Sequence, residues 1–112
     1  SETRELRGVI SSDGTRIACD VFGDGPPIIF ITGMLSDRTS LAELARDVAG
    51  GATSIIYDRR GRGDSDAGGD YAVSREVEDV AAIAALFDAP PVLFGHSSGA
   101  GLAIEAAASG LR

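Results

Sequence analysis

Residues 92–100 read Val-Leu-Phe-Gly-His-Ser-Ser-Gly-Ala, and they contain the most informative motif of the chain. It contains the pattern Gly-x-Ser-x-Gly at Gly95, Ser97 and Gly99. An apolar run leads into the pattern and an alanine-rich run leads out, which predicts a strand, a sharp turn and a helix. A serine on such a turn projects its hydroxyl clear of the backbone, and glycines without a Cβ let strand and helix approach. We therefore interpret Ser97 as a nucleophile with positive φ.

The helix after the turn and the histidine before the serine have different roles in this interpretation. The first turn of the helix offers free N–H groups and the positive end of its dipole, which favour a developing oxyanion. His96 is the only histidine in the sequence. Adjacent residues on a sharp turn point in different directions, so we do not expect His96 to act as the base for Ser97.

The rest of the chain alternates between strand and helix signals. A hairpin is predicted over residues 6–22, with its turn at 11–14. Buried strands are predicted at 27–31, 53–57 and 91–94, and helices at 40–49, 74–87 and 98–109. This order predicts an α/β fold, with a mostly parallel sheet of about five strands and three helices on both of its faces.

N-cap residues and apolar residues at helical spacing support the prediction of the first two helices. Ser40 and Glu43 match the capping box of the first helix, and Ser74 is suited to cap the second. The faces predicted to be buried are Leu41, Leu44, Ala45 and Val48 in the first helix and Val77, Val80, Ala84 and Phe87 in the second.

Composition argues against several classes of partner. The net charge is −7 and all ten basic residues are arginine, so nucleic acid and anionic membrane surfaces are not expected partners. No apolar run approaches the ~20 residues of a membrane span, and a cytoplasmic location is expected. Cys19 is the only cysteine, which excludes an internal disulfide, and we expect it to be a buried apolar residue beside Ile17 and Val21.

A polar loop after the second buried strand contains three aspartates and three arginines. Asp58, Asp64 and Asp66 suggest a metal site, but no His or Cys accompanies them at ligand spacing. We expect ion pairs with Arg59, Arg60 and Arg62 to fix the loop instead, so that replacing Asp58 lowers stability more than it alters specificity. The glycines of the loop do not complete a dinucleotide fingerprint. No metal and no cofactor are expected.

These motifs together resemble one family. Residues 95–99 match the nucleophile elbow of the α/β-hydrolases. Residues 58–65 match the D-x-R-G-x-G-x-S pattern that is common after their fourth strand. Residues 32–34 occupy the loop in which many relatives have His-Gly-x. The chain, residues 1–112, thus resembles the N-terminal part of a single α/β-hydrolase domain of the serine-nucleophile branch.

The resemblance implies roles for individual residues. Ser97 is the expected nucleophile, and the backbone N–H groups of Met34 and Ser98 are the expected oxyanion donors, converging near the Ser97 hydroxyl. Gly95 and Gly99 are the elbow glycines. Thr32 departs from the usual histidine, which affects the expected loop geometry more than the chemistry.

The resemblance also implies a reaction, with alternatives. It implies a serine hydrolase that cleaves a small ester, thioester, lactone or similar acyl substrate through an acyl-enzyme on Ser97. One alternative is an enzyme of the same fold that is not a hydrolase, such as an acyltransferase, a cofactor-free perhydrolase or a hydroxynitrile lyase. Another is a non-catalytic fragment or binding protein.

The order of the triad in this family is Ser, then Asp or Glu, then His. Both partners of Ser97 are therefore expected in a segment or companion chain that carries the C-terminal half of the fold, and the 112 residues by themselves are expected to be inactive. Without that half, residues 91–94 form an apolar edge strand, so we expect a companion to pair beside them.

Overall fold

The computed structural model describes residues 3–33, 41–48, 50–67, 72–96 and 98–109, with side chains from residue 8 onward. The strands are β1 (Thr3–Ile10), β2 (Arg16–Gly23), β3 (Pro27–Ile31), β4 (Thr53–Tyr57) and β5 (Val92–Gly95). The helices are α1 (Ala42–Val48), α2 (Val73–Ala84) and α3 (Ser98–Ala108). The predicted α/β fold with five strands and three helices is confirmed.

The sheet is mixed, and its strand order is β1-β2-β4-β3-β5. β1 pairs antiparallel with β2, and β2 pairs antiparallel with β4. β3 pairs parallel with both β4 and β5. Parallel pairing is thus confined to β4, β3 and β5, which are the strands joined by helical crossovers, as crossover connections require.

The hairpin turn forms at the predicted residues. Gly14 has φ of 87°, a conformation that glycine adopts without a steric cost. Ser11 donates its N–H to the Thr15 carbonyl at 2.9 Å, and the Thr15 N–H donates to Asp13 Oδ1 at 3.0 Å. These bonds satisfy the polar groups of the turn and set the register of β1 against β2.

Two apolar clusters cover opposite faces of the sheet, as alternation along a strand requires. The larger cluster joins β1–β5 to α2 and α3, and it includes Cys19 beside Ile17 and Val21 as predicted. The smaller cluster joins Phe22, Phe30 and Ile56 to Ala45 of α1. Helices therefore cover both faces, with α1 on one and α2 and α3 on the other.

The predicted stripe of α1 is only partly correct. Leu41 and Ala45 contact the smaller cluster, but Leu44 and Val48 are exposed. Leu41 and Ala45 are four residues apart and lie on the side of this short helix that faces the sheet. Leu44 and Val48 lie on the adjacent side, which faces away from the sheet. Ser40, the predicted N-cap of this helix, lies outside the described residues.

The predicted start of α2 is wrong by two residues. Ala72 occupies the N-cap with extended backbone and no side-chain cap, so Ser74 lies inside the first turn. Val80 and Ala84 are buried as predicted, and Val77 and Phe87 pack against the core. Glu76 and Asp79 are also fully buried, which the sequence analysis did not anticipate.

Within the described ranges, no helix combines the length and the apolar character that crossing a membrane requires.

Candidate active site

The strand, turn and helix predicted around residues 92–100 are present. β5 ends at Gly95 and α3 begins at Ser98. The His96 N–H donates to the Ile31 carbonyl at 3.0 Å, and the Gly99 N–H donates to the His96 carbonyl at 2.9 Å. The main chain therefore turns sharply beside the end of β3. Ser97, the predicted nucleophile, lies outside the described residues.

Gly95 and Gly99 are held where no side chain fits. A Cβ on Gly95 would lie 2.6 Å from the Ala100 Cα and would overlap the Gly99 carbonyl. A Cβ on Gly99 would lie 2.7 Å from the Thr32 carbonyl oxygen and would overlap that of Ile31. These obstacles are backbone atoms, which cannot move aside as a flexible side chain can. Both glycines therefore lie where the backbone of α3 approaches the ends of β5 and β3 closely.

Residues close in sequence to the two predicted oxyanion donors meet at this crossing. Ser98 is the first residue of α3 and is exposed. Met34 lies outside the described residues, but Thr32 and Gly33, which precede it, are described and buried. The contact of Gly99 with the Thr32 carbonyl brings the segment before Met34 against the first turn of α3.

Thr32 contributes to the site through its main chain. It is fully buried, and its carbonyl accepts a hydrogen bond from Arg59 Nη1 at 3.1 Å. Its hydroxyl has no hydrogen-bond partner among the described residues.

Arg59 connects three parts of the chain at the carboxyl edge of the sheet. Nε and Nη2 donate to the two carboxylate oxygens of Glu76, each at 2.7 Å. Nη1 donates to the Thr32 carbonyl and, at 3.0 Å, to the Ser98 hydroxyl oxygen. Both side chains of the Arg59–Glu76 pair are buried. A bidentate, desolvated pair of this kind holds the guanidinium in one orientation.

Arg60 forms a second buried pair beside the first. It donates to both carboxylate oxygens of Asp79, at 2.8 and 2.6 Å, and to Asp13 of the hairpin turn, at 2.9 and 3.3 Å. The hydrogen bonds to Asp79 and, to a smaller extent, to Asp13 raise the pKa of Arg60 above its ordinary value. The bonds to Arg60 and Thr15 hold the pKa of Asp13 well below its usual range.

The arginines were expected to pair with the aspartates of their own loop, but these pairs reach other elements. Arg59 and Arg60 join helix α2 to the end of β4 through Glu76 and Asp79. The signal available in the sequence was the spacing of Glu76 and Asp79, three residues apart and on the same helical face as Ile83. Two acidic residues on a face that packs on the sheet need buried cations.

Asp58 holds the loop after β4 from within. Asp58 Oδ2 accepts the N–H of Asp64 at 2.8 Å, and a Cβ on Gly63, where φ is 52°, would overlap the carboxylate. The Ser65 hydroxyl donates to the Asp58 carbonyl at 2.6 Å and accepts the Ala18 N–H at 2.8 Å. The loop is thereby tied to itself and to β2, which agrees with the expected structural role of Asp58.

No group of three or more His, Cys, Asp and Glu side chains within the described part of the chain is arranged to hold a metal ion. His96 is exposed, and the contacts described above involve its main chain. A cavity of about 470 Å³ between α2 and α3 borders the buried Arg59–Glu76 pair and opens beside Ser98.

The sequence profile of the Alpha/beta hydrolase family matches residues 28–112. The chain belongs to the alpha/beta hydrolase family. The match covers most of the chain, including the turn at residues 95–99 and the loop at residues 58–65, so the family identified from the motifs is confirmed.

Several solved structures resemble this chain closely. An alpha/beta hydrolase from Sphaerobacter thermophilus is 50% identical, with a TM-score of 0.88 over 96% of this chain and 41% of its own. The bottromycin epimerase BotH is 33% identical, with a TM-score of 0.82 over 96% of this chain and 44% of its own. The N-formylmaleamic acid deformylase of Pseudomonas putida is 29% identical, with a TM-score of 0.80 over 96% of this chain and 42% of its own. The chain thus spans about two fifths of the length of these proteins.

Proposed function

We propose that this chain supplies the nucleophile and the oxyanion hole of a serine hydrolase that acts on an ester, thioester, lactone or similar small acyl substrate. Ser97 Oγ bonds to the acyl carbon while its proton passes through a histidine to the leaving alcohol or thiol. Water then cleaves the acyl-enzyme and releases the acid. The N–H groups of Met34 and Ser98 stabilise the oxyanion of each tetrahedral intermediate.

The close crossing of β5, α3 and the end of β3 carries this proposal. Such a crossing, with glycines on either side of Ser97, is what a serine on a strained strand-to-helix turn requires. The first turn of α3 adds main-chain N–H groups beside the same point. The hydrogen bonds of Arg59 to the Thr32 carbonyl and the Ser98 hydroxyl support a rigid arrangement around the site.

We further propose that the acid and the histidine of the triad come from a C-terminal segment, in the same polypeptide or in a companion chain. Two observations support this. The chain spans about two fifths of each similar structure. β5 is the last strand at one edge of the described sheet. Its Val92 and Phe94 are exposed, and Leu93 lines an apolar groove together with Ile104 on the other face.

The test is covalent labelling of the chain assembled with the segment that completes the fold. A fluorophosphonate probe is expected to modify Ser97, located by mass spectrometry of peptides. Ser97→Ala abolishes labelling, whereas Ser74→Ala, at an exposed position in α2, leaves it unchanged. Labelling elsewhere, or none in the assembled wild type, contradicts the proposed nucleophile.

A same-fold enzyme that is not a hydrolase is the second candidate, and the likeness to the bottromycin epimerase favours it. The two candidates differ in the fate of water. A hydrolase incorporates one ¹⁸O from labelled water into the released acid. An acyltransferase gives a new ester when an acceptor alcohol is present, and an epimerase or lyase gives no acid at all. A non-catalytic fragment forms no acyl-enzyme.

A further inference from the structure

Arg59 bonds to both segments that carry the proposed oxyanion donors. Thr32, whose carbonyl it contacts at 3.1 Å, lies two residues before Met34. Ser98, whose hydroxyl oxygen it contacts at 3.0 Å, directly follows Ser97 and is itself the second proposed donor. One guanidinium nitrogen, Nη1, makes both contacts. The loop after β3 and the first turn of α3 are thus linked through a single rigid group.

Glu76 makes that group rigid. The carboxylate binds Nε and Nη2 of Arg59 at 2.7 Å each, and both side chains are buried. Because the guanidinium is planar, a carboxylate that holds one side of the fork also fixes the directions of the N–H bonds on Nη1. A flexible ammonium group has no such fixed directions, so lysine would not reproduce the pair of contacts.

We propose that Arg59 is a positioning residue that sets the spacing between the two halves of the oxyanion hole. The proposal rests on the proposed function, because it concerns the same intermediate. Oxyanion stabilisation depends on donors placed where charge develops, and a displacement of about 1 Å costs up to about a hundredfold in rate. Arg59 hydrogen-bonds to the main chain of one segment and to the side chain of the other, and through these contacts it positions both.

Arg60 provides the matched comparison within the same chain. It is the next residue, it is equally buried, and it makes an equivalent bidentate pair with Asp79 of α2. Its third partner is Asp13 of the hairpin turn. Replacing either arginine removes a buried pair, but only the replacement of Arg59 disturbs the contacts with Thr32 and Ser98.

The experiment measures kcat, KM and the rate of fluorophosphonate labelling for Arg59→Lys and Arg60→Lys in the chain assembled with the segment that completes the fold. The probes are an aryl acetate ester and the fluorophosphonate. We expect Arg59→Lys to lower kcat and the labelling rate by about tenfold or more with little change in KM. We expect Arg60→Lys to lower the unfolding temperature while the folded protein keeps the wild-type kcat.

Ser98→Ala and Ser98→Thr keep the proposal testable where an arginine variant fails to fold. Ser98 is exposed, so its alanine variant removes the bond to Arg59 Nη1 and little else. We expect Ser98→Ala to lower kcat and Ser98→Thr, which keeps the hydroxyl, to restore it. A loss seen with Arg59→Lys but not with Ser98→Ala assigns the positioning to the Thr32 carbonyl.

Equal losses for Arg59→Lys and Arg60→Lys, or wild-type rates for both Arg59→Lys and Ser98→Ala, overturn the positioning role. These results are distinct from failure of the proposed function, in which the assembled wild type itself is not labelled at Ser97.

Discussion

At the scale of single residues, the glycines around Ser97 show how a sequence pattern becomes a steric requirement. Gly99 faces the carbonyl oxygens of Ile31 and Thr32, and Gly95 faces the backbone of α3. For Gly101, one residue beyond Ala100 in the same helix, no described atom outside the adjacent stretch of helix lies within 4 Å of the position where a Cβ would stand. Two glycines of one helix therefore have opposite consequences when they are replaced.

We predict that Gly99→Ala destabilises the protein by about 3 kcal/mol, because the new methyl group cannot be accommodated without moving the backbone of β3. Gly101→Ala is expected to stabilise it by about 0.4–1 kcal/mol, because alanine restricts the unfolded chain at an unobstructed helical position. Urea unfolding of both variants checks the pair. Equal unfolding free energies for the two variants would contradict the crossing geometry.

At the scale of elements, α2 is attached to the sheet by charges as well as by apolar contacts. Glu76 and Asp79 lie on the buried face together with Val80 and Ile83. Their partners, Arg59 and Arg60, follow directly after β4. Breaking a buried pair by removing one partner typically costs about 3–5 kcal/mol, because the remaining charge stays desolvated. The two pairs therefore constrain where α2 lies.

The Arg60 cluster also predicts a dependence of stability on pH. In the folded protein, the bonds from Arg60 and Thr15 lower the pKa of Asp13 well below its ordinary value. In the unfolded chain this carboxyl takes up a proton near pH 3.9. The unfolded state then binds more protons than the folded state, so the contribution of Asp13 is present above about pH 4 and is lost progressively as the pH falls further.

We therefore expect the difference in unfolding free energy between the wild type and Asp13→Asn to be largest near neutral pH and to shrink below about pH 4. Urea unfolding across this range measures the difference directly. The comparison removes the effects of all other carboxylates, which the two proteins share. A difference that stays constant down to pH 2, or grows on acidification, contradicts the Arg60–Asp13 interaction.

At the scale of the whole molecule, the two edges of the described sheet differ. β1 forms one edge as part of a hairpin, and β5 forms the other with Val92 and Phe94 exposed. Ile104 of α3 is also 69% exposed beside this strand. An apolar strand with an unpaired edge is a template for association with another chain. This surface is where the proposed C-terminal segment is expected to pair.

We predict that the 112-residue chain by itself associates through the β5 edge and that Val92→Lys reduces this association. Ile10→Lys, on β1, is the matched control, because Ile10 and Val92 are both 61% exposed. Analytical ultracentrifugation at micromolar concentrations measures the change. A monodisperse 11.4 kDa wild-type species, or an equal effect of the two lysine variants, argues against the β5 edge as the site of pairing.

Features that depend on local signals could be predicted from the amino-acid sequence. Apolar runs bounded by turn residues located all five strands, and the alternation of strands and helices predicted an α/β sheet with helices on both faces. The glycine spacing at Gly95 and Gly99, placed between an apolar strand and an alanine-rich helix, identified the turn around Ser97. Each of these signals spans a few neighbouring residues, so no knowledge of distant contacts was needed.

The tertiary structure alone decided which distant groups meet. Arg59 and Glu76 are 17 residues apart in sequence, and Arg59 and Ser98 are 39 apart. The sequence analysis assigned the arginines to the nearest aspartates, because charge pairing at a distance leaves no periodic pattern. The sequence analysis also assigned no partner to Glu76, although packing of α2 on the sheet buries its carboxylate. A buried carboxylate is stable only beside a cation, and the packing of distant elements decides which cation that is.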